Sequence, residues 1–469
     1  MVVGASSTEV ETVVIGAGPG GYVAAIRAAT LGQKVILVER GQIGGVCLNV
    51  GCIPSKALLH VAHRFRQAHE TTPFGLKPGG AKLNFAAAQK WKTEKVVGRL
   101  TGGIAVLLKK HHVEIIRGSA SFLDNETLNV TTDDGYQLLR FENCIIATGS
   151  RPVELPFAKF GGRIVDSTGA LDLKKIPGKL IVLGGGVIGM EIGSLYQNLG
   201  ARVVVVEGLD HVLNGFDAEM VSPVVDDFLR DGGQIFTSAT AKKVKEADKQ
   251  VSLTFETGGR SQTVTGDYLL VAVGRRPNTD DLGLNNTDVK IDQRGFIAVD
   301  EQMRTNVPHI FAIGDVVPGP MLAHKASFQA KVAAAAISGA ENGTDLHLAL
   351  PAVAYTNLEL ATVGETLDSI KEKNLDVQIT KFPFGANGRA LTMDNARGFL
   401  RLINNRPTGA ILGAQIVGDG AADLIASLSL AIENGLTTRD LALTIQPHPT
   451  LAEIIVDAAE LADGRPIHL

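Results

Sequence analysis

The sequence predicts an α/β protein of several domains built around two copies of one βαβ unit. Three observations carry that expectation: the length, a glycine fingerprint that occurs twice at a constant offset, and a final block of different composition. At 469 residues the chain exceeds what one hydrophobic core serves, so three or four packed domains are expected. An apolar fraction of 45%, a charged fraction of 20% and 53 glycines fit an α/β chain whose turns approach ligands closely, and exclude a disordered or fibrous one. Lys plus Arg total 45 against 49 for Asp plus Glu, and the net charge of −4 leaves no basic footprint for nucleic acid or anionic lipid. Neither partner is expected. The opening MVVGASSTEV lacks the patterns of a secretory signal or a transit peptide, so a cytoplasmic location is expected. The longest apolar run, Leu180 to Met190, is eleven residues with four glycines. A bilayer span needs about 18 to 20, so no membrane span is expected.

The duplication defines the first two domains. ETVVIGAGPGGYVAAIRAATLGQKVILVER reads as a strand, a turn through Gly16, Gly18 and Gly21, a helix to Leu31 and a return strand ending at Glu39. KLIVLGGGVIGMEIGSLYQNLGARVVVVEG repeats it, with Gly184, Gly186, Gly189, Leu199, Gly200, Val203 and Glu207 each 168 positions beyond their counterparts. Each unit later meets Ala-x-Gly-x-x-Pro after an apolar strand, as Ala147 to Pro152 and as Ala272 to Pro277. One such glycine turn is weak, because turns that merely pack a helix on a strand are common. Two in register, each followed by an acidic residue, are strong. The first glycine allows the tight turn, the second lets backbone N–H groups approach a pyrophosphate, and the third brings helix against strand. Glu39 and Glu207 would take ribose hydroxyls, so two dinucleotides are implied. Glu207 would repel a 2′-phosphate, and Gly208-Leu209-Asp210-His211 supplies no arginine, which favours NAD over NADP. Arg202, ahead of the return strand, reads as a surface residue.

Beyond Pro277 lies a mixed region to about Ala340, and from about Leu348 a third block begins. Its short apolar runs (Phe399 to Ile403, Ala410 to Val417) have strand length, and Ala421 to Asn434 turns helical, as in an α+β interface domain.

Cys47 and Cys52 sit in GGVCLNVGCIPSK, just after the first return strand. In a regular helix five residues rise about 7.5 Å, beyond the roughly 4.4 to 6.8 Å between the Cα atoms of a disulfide, so a bond there requires a distorted turn, which Gly51 permits. Pro54 and the residues after it read as a helix start, leaving Cys52 near a helix N-terminus where a thiolate is favoured. The bland alternative is two reduced core thiols, the commoner fate of intracellular cysteine. A metal site would want a second CxxC or nearby His ligands, and none is expected. Cys144 reads as a core thiol. The position of Cys47 and Cys52 beside the nucleotide unit favours redox chemistry.

Over essentially its whole length the chain resembles the pyridine nucleotide-disulfide oxidoreductases, and GGVCLNVGCIPSK is most similar to their dihydrolipoamide dehydrogenase branch. The resemblance implies two Rossmann-like domains, for FAD (1–152, with the redox cysteines) and NAD (153–277). A small central domain (278–347) completes the FAD site, and a C-terminal α+β dimerisation domain (348–469) follows. It implies FAD contacts at Gly16, Gly18, Gly21, Glu39, Gly44, Gly45, Lys56, Ala120, Thr148, Gly149, Asp315, Leu322, Ala323 and His324. NAD would lie on Gly184, Gly186, Gly189, Glu207 and Gly274. Lys56, paired with Glu191, would sit at the flavin N5 edge, where a cation stabilises the charge of the reduced ring. In QPHPTLAEIIVDAAE, His448 would be the acid/base and Glu453 its orienter, supplied to the neighbouring subunit of a homodimer. Thr450-Leu451-Ala452-Glu453 is equally a capping box, in which Glu453 bonds an N-cap amide.

The implied reaction is oxidation of protein-bound dihydrolipoamide to lipoamide through a Cys47–Cys52 disulfide and FAD, with NAD⁺ reduced. The implied partners are the lipoyl domain of an acyltransferase or a glycine cleavage H protein, since no lipoyl domain precedes the first fingerprint. Two residues depart from the family pattern: Gln446 where another histidine is common, and Leu358 where proline is usual. Glutathione-type reductases would want arginines after Glu207, and mercuric or large thioredoxin reductases would want C-terminal cysteines, whereas no Cys follows Cys144. An idle structural subunit would not need Cys47, Cys52, His448 and Glu453 together.

Overall fold

The computed structural model describes residues 7–340 and 349–469. The expected boundary at 347/348 lies outside the described residues. At the centre of the first sheet is strand Ser7–Ile15, parallel to Val35–Glu39 on one side and to Gly135–Ile146 on the other, with Glu114–Arg117 beyond Val35–Glu39. Both faces of this sheet are covered, which is why the strand reads as an unbroken apolar run rather than an alternation. Val14 and Leu37 pack under helix Pro19–Thr30, while Val13, Ile36 and Val38 pack on the opposite face with Phe122 and Leu128.

Strand Gly135–Ile146 has two partners along one edge. Its first half forms a hairpin with Thr127–Thr132, and its last three residues pair in parallel with Ile310–Ala312. Residues 278–340 therefore build no separate core. Their strand completes the first sheet, and their helix Ala323–Ser338 packs Ala330, Ala333 and Ala334 against Ala24, Ala25 and Ala28 of helix Pro19–Thr30. Alanine on both faces lets the two helices approach closely.

The second unit is a parallel sheet in the order Gln234–Phe236, Arg202–Val206, Lys179–Leu183, Tyr268–Val271, Ile164–Val165. A three-stranded antiparallel meander (Thr240–Ala247, Gln250–Thr257, Arg260–Gly266) closes one of its faces through Leu253 and Phe255. Helix Val187–Asn198 buries ten of its twelve residues, because it is wedged between its own sheet and helix Cys52–Gln67. The two Ala-x-Gly-x-x-Pro patterns pair with each other, Ser150–Pro152 running antiparallel to Arg275–Pro277.

The C-terminal block is an antiparallel sheet in the order Ala352–Ala354, Leu360–Gly364, Ile411–Val417, Phe399–Asn405, Val377–Pro383. Helices Ala421–Glu433 and Glu453–Ala462 cover it through Ile425, Leu428, Ile454 and Ile455. Both apolar runs expected as strands are strands, and the expected helix ends one residue early. Among the described residues one helical run, Gly45–Gln67, is long and apolar enough by composition to cross a bilayer. It is broken at Gly51 into Gly45–Val50 and Cys52–Gln67, and Leu58, Leu59 and Ala62 bury its face in the core against helix Val187–Asn198.

Candidate active site

The two glycine turns have the same backbone. Gly16 and Gly184 are left-handed (φ +99° and +103°), and a Cβ on either would meet the carbonyl oxygen of Ala147 or Ala272 at 2.5 or 2.4 Å. Gly18 and Gly186 cap their helices in nearly identical conformations (φ −69°, ψ −175° and −174°), and a Cβ there would meet nothing within 4 Å. Their N–H groups thus open onto space at a helix N-terminus, the arrangement that receives a phosphate. A Cβ on Gly21 or Gly189 would stand 1.7 or 1.9 Å from the oxygen of Gly16 or Gly184, so helix meets strand there with no room for a side chain. Glu39 accepts from the N–H groups of Ala17 and Gly41 at 2.5 and 2.6 Å, and Glu207 from those of Gly185 and Leu209. Each carboxylate braces its own turn.

Both turns open on one cavity of about 2010 Å³. Its wall includes Gly16, Gly18, Glu39, Gly45, Cys47, Cys52, Lys56, Thr148 and Gly149, and also Gly184, Gly186, Glu191, Glu207, Gly274, Asp315, Leu322, Ala323 and His324. Gly21, Gly189 and Gly44 lie just beneath this wall, where the Gly44 N–H donates to Ala17 O at 2.8 Å. Two open N-termini, a bracing carboxylate beyond each and one continuous volume fit two extended dinucleotides, one on each turn.

Ala120 is the exception. Strand Ser119–Phe122 turns alternate residues inward, so Ala120 and Phe122 are buried in the core and Ala120 does not line the cavity. Its side chain packs in the core, so any contact of Ala120 with a nucleotide would come from its backbone.

Gly51 interrupts the helical run, where a Cβ would meet Val46 O at 2.9 Å. The break sets Cys47 and Cys52 close enough on the cavity wall for their ionisations to influence each other. Both are free thiols, and Cys144 is a buried core thiol as expected. Cys52 faces the cavity, and its pKa is held down to about 7, first by the hydrogen bond from Cys47 and then by the Lys56 ammonium one helical turn away. Cys47 is pushed up, because it donates that bond and is partly buried. The pair therefore shares one ionisation, with the charge on Cys52. Lys56 Nζ lies 2.7 Å from Glu191 Oε2, and Glu191 is 4% exposed.

His448 Nδ1 lies 2.8 Å from Glu453 Oε1, while Glu453 Oε2 accepts the Thr450 N–H at 2.8 Å. Glu453 makes both expected contacts, one per oxygen, although the helix begins at Glu453 with Ala452 as its N-cap. Thr450 donates its hydroxyl to Pro447 O, so the reciprocal half of a capping box does not form. Two hydrogen bonds, that of Thr450 first, hold the Glu453 carboxyl below its ordinary range. The His448 side chain is 80% exposed and lies off the cavity wall, so within one chain His448 and the thiols are apart.

Sequence reasoning missed two arrangements on the cavity wall. Arg275 donates to Ser150 Oγ and O at 2.8 and 2.7 Å, and the Ser150 hydroxyl donates to Asp315 Oδ2 at 2.5 Å. Tyr355, from the C-terminal block, lays its ring under Lys56 Nζ, 4.6 Å from the ring centre. Neither carries a local signal, since the partners are separated by more than a hundred residues.

A thiol pair sharing one ionisation, on the wall of a cavity entered by two dinucleotide turns, defines a two-nucleotide disulfide oxidoreductase. Residues 10–330 match the pyridine nucleotide-disulphide oxidoreductase family and residues 350–459 match that family's dimerisation domain, and the chain belongs to this family. It is 52% identical to the dihydrolipoyl dehydrogenase of Geobacillus stearothermophilus, over 100% of this chain and 99% of that one. Among solved structures it resembles LpdA from Mycobacterium tuberculosis (TM-score 0.90, 28% identity, 96% of this chain and 99% of that one). It also resembles the HOCl-induced flavoprotein disulfide reductase RclA from Escherichia coli (TM-score 0.85, 28% identity, 96% and 99%).

Proposed function

We propose that the chain oxidises dihydrolipoamide to lipoamide and reduces NAD⁺ to NADH, using FAD and the Cys47–Cys52 pair. The observation that carries this reading is that Cys47 and Cys52, on either side of the Gly51 break, both line the cavity that both glycine turns enter. In the oxidised enzyme the two sulfurs are bonded. A substrate thiolate attacks Cys47, the S–S bond breaks, and Cys52 leaves as a thiolate. The second substrate thiol displaces Cys47, closing lipoamide and leaving both chain thiols reduced. Re-forming the Cys47–Cys52 bond releases two electrons, which with one proton convert NAD⁺ to NADH, and the other proton goes to solvent. Bound FAD supplies the two-electron relay between thiols and nicotinamide.

The chain's own groups explain the direction of attack. Cys52 is the better leaving group because its thiolate is already stabilised by the Cys47 hydrogen bond and by Lys56. Deprotonating the substrate needs a base, and His448, oriented by Glu453, serves the second copy of a homodimer, since it stands too exposed to serve its own cavity. The substrate is carried on a lipoyl domain of an acyltransferase or of a glycine cleavage H protein, in the cytoplasm. Glu207 on its brace favours NAD⁺ over NADP⁺.

The test is turnover of purified enzyme with free dihydrolipoamide and either nucleotide, followed by NADH absorbance. Turnover with NAD⁺ that vanishes in Cys47→Ser and in Cys52→Ser is expected. Unchanged turnover in Cys52→Ser would refute the mechanism.

A further inference from the structure

Helix Cys52–Gln67 carries Cys52 and Lys56 one turn apart on the cavity side, so the ammonium acts directly on the thiolate. What holds the ammonium in place comes from two other parts of the chain. Glu191, on helix Val187–Asn198, pairs with it at 2.7 Å through Oε2. The other oxygen, Oε1, accepts the backbone N–H of Tyr355 at 3.0 Å. Tyr355 also places its ring against Lys56 Nζ, with the nitrogen 4.6 Å from the centroid. The ammonium is thus gripped between a carboxylate and an aromatic face, and both grips meet at one residue of the C-terminal block.

The segment bearing Tyr355 is itself anchored. Thr356 donates its hydroxyl to Leu358 O, Asn357 accepts from Asn198 Nδ2 at 2.7 Å, and Leu358 is fully buried. That anchoring fixes the ring relative to helix Val187–Asn198. It also gives Leu358 a packing role beside helices of both nucleotide units.

A Lys–Glu pair alone leaves a flexible four-carbon stem two ways to turn, because Lys56 is about a third exposed at 35%. An aromatic face on the open side adds roughly 0.5 to 1 kcal/mol for a cation at a part-exposed site and penalises rotamers that swing toward solvent. It also adds no charge, so it steadies Lys56 without diminishing its field at the sulfur. Glutamate does the reverse, since its negative charge works against the Cys52 thiolate.

We propose that Tyr355 is a positioning residue through which the C-terminal domain holds the Lys56 ammonium beside Cys52. The groups facing Cys52 are Cys47, Lys56, Glu191, Tyr355 and Arg275, and only the aromatic face of Tyr355 can be removed without changing a charge or a hydrogen bond to the sulfur. Its backbone bond to Glu191 survives any substitution that keeps the fold. The inference rests on the redox reading of Cys52, and its readout is thiolate chemistry rather than turnover.

The experiment is a pH titration of holoenzyme reduced by one equivalent of dithiothreitol without oxygen, following the long-wavelength absorbance of a thiolate against flavin. In Tyr355→Leu the midpoint for loss of that band is expected to rise by about 0.4 to 0.7 of a pH unit, the size of one aromatic contact to a cation. In Tyr355→Phe, which keeps the ring, it is expected to coincide with the parent. In a Lys56→Met background the Leu substitution is expected to add nothing. Coincident titrations of the parent and Tyr355→Leu would overturn the proposal, and so would a Phe variant displaced as far as the Leu variant. If Tyr355→Leu does not fold, Tyr355→Met substitutes for it with the same expected rise. A parent enzyme that shows no band at all would instead count against the flavin reading of the site.

Discussion

The two βαβ units share one turn and differ in what surrounds it. Their first, second and third glycines match in dihedral angle, in open space and in forced contact. The helices that leave the turns go separate ways. Pro19–Thr30 packs against alanines of Ala323–Ser338, while Val187–Asn198 packs against the cysteine helix. At the position 168 residues before Glu191, the first unit has Val23. The glycines thus determine where a pyrophosphate lies, and the helix face turned to its neighbours determines what chemistry happens beside it. Only the second helix needs a buried carboxylate, because only it lies against Lys56.

The largest test of this division is to damage one turn and leave the other. A Cβ on Gly21 would press within 1.7 Å of Gly16 O, and one on Gly189 within 1.9 Å of Gly184 O, and in each case the obstacle is backbone that cannot swing aside. Overpacking of this kind costs about 1 to 3 kcal/mol or more, and the turn must deform. Gly21→Ala is expected to yield protein with little bound flavin, read from its absorbance per chain. Gly189→Ala is expected to keep its flavin and lose NAD⁺-dependent turnover by about a hundredfold. If both variants lose flavin equally, the turns are not separable and the comparison fails.

A smaller effect is expected from the carboxylates. Glu39→Gln and Glu207→Gln each keep the shape of the brace and remove its charge, while the amide can still accept one backbone N–H. Glu207→Gln is expected to raise the KM for NAD⁺ about tenfold with kcat nearly unchanged, and to narrow the preference over NADP⁺. Glu39→Gln is expected to leave both nucleotide constants alone and to weaken flavin retention on dilution. An unchanged KM in the first variant would show that Glu207 serves its loop rather than the ribose.

How much of this was legible in the sequence follows the same division. The turns were, because a glycine with positive φ and a glycine without room for Cβ leave their mark at fixed spacing, and the offset of 168 supplied the register. The break at Gly51 was legible from disulfide geometry, and two C-terminal strands from apolar runs. The union of residues 278–340 with the first sheet was not, since a three-residue strand pairing with a segment more than 160 positions earlier has no periodicity of its own. The inward turn of the Ala120 side chain was not legible for a related reason: strand alternation decides which way it points, and resemblance names only the position. Glu191, His448 and Glu453 came from resemblance. The structure adds that Glu191 is buried on Lys56 and that His448 stands in solvent.

The smallest expected effect, that of Arg275→Lys, lies where the two units touch. Ser150 and Arg275 hold the same place in the two Ala-x-Gly-x-x-Pro patterns, and the arginine of one reaches the serine of the other, which in turn donates to Asp315. Burial lowers the pKa of Arg275, and its field still orders the serine hydroxyl so that its proton points to the carboxylate. A hydrogen bond to a charged group contributes about 1.5 to 3 kcal/mol, so Ser150→Ala is expected to speed flavin release about tenfold. Arg275→Lys keeps a charge yet cannot make the two-nitrogen contact with Ser150, and is expected to change that rate only about twofold to threefold. Release measured by flavin fluorescence orders the two variants. Were Arg275→Lys the more damaging, the crossover would be more than a seam between similar halves, and the second unit would govern how tightly the first holds its nucleotide.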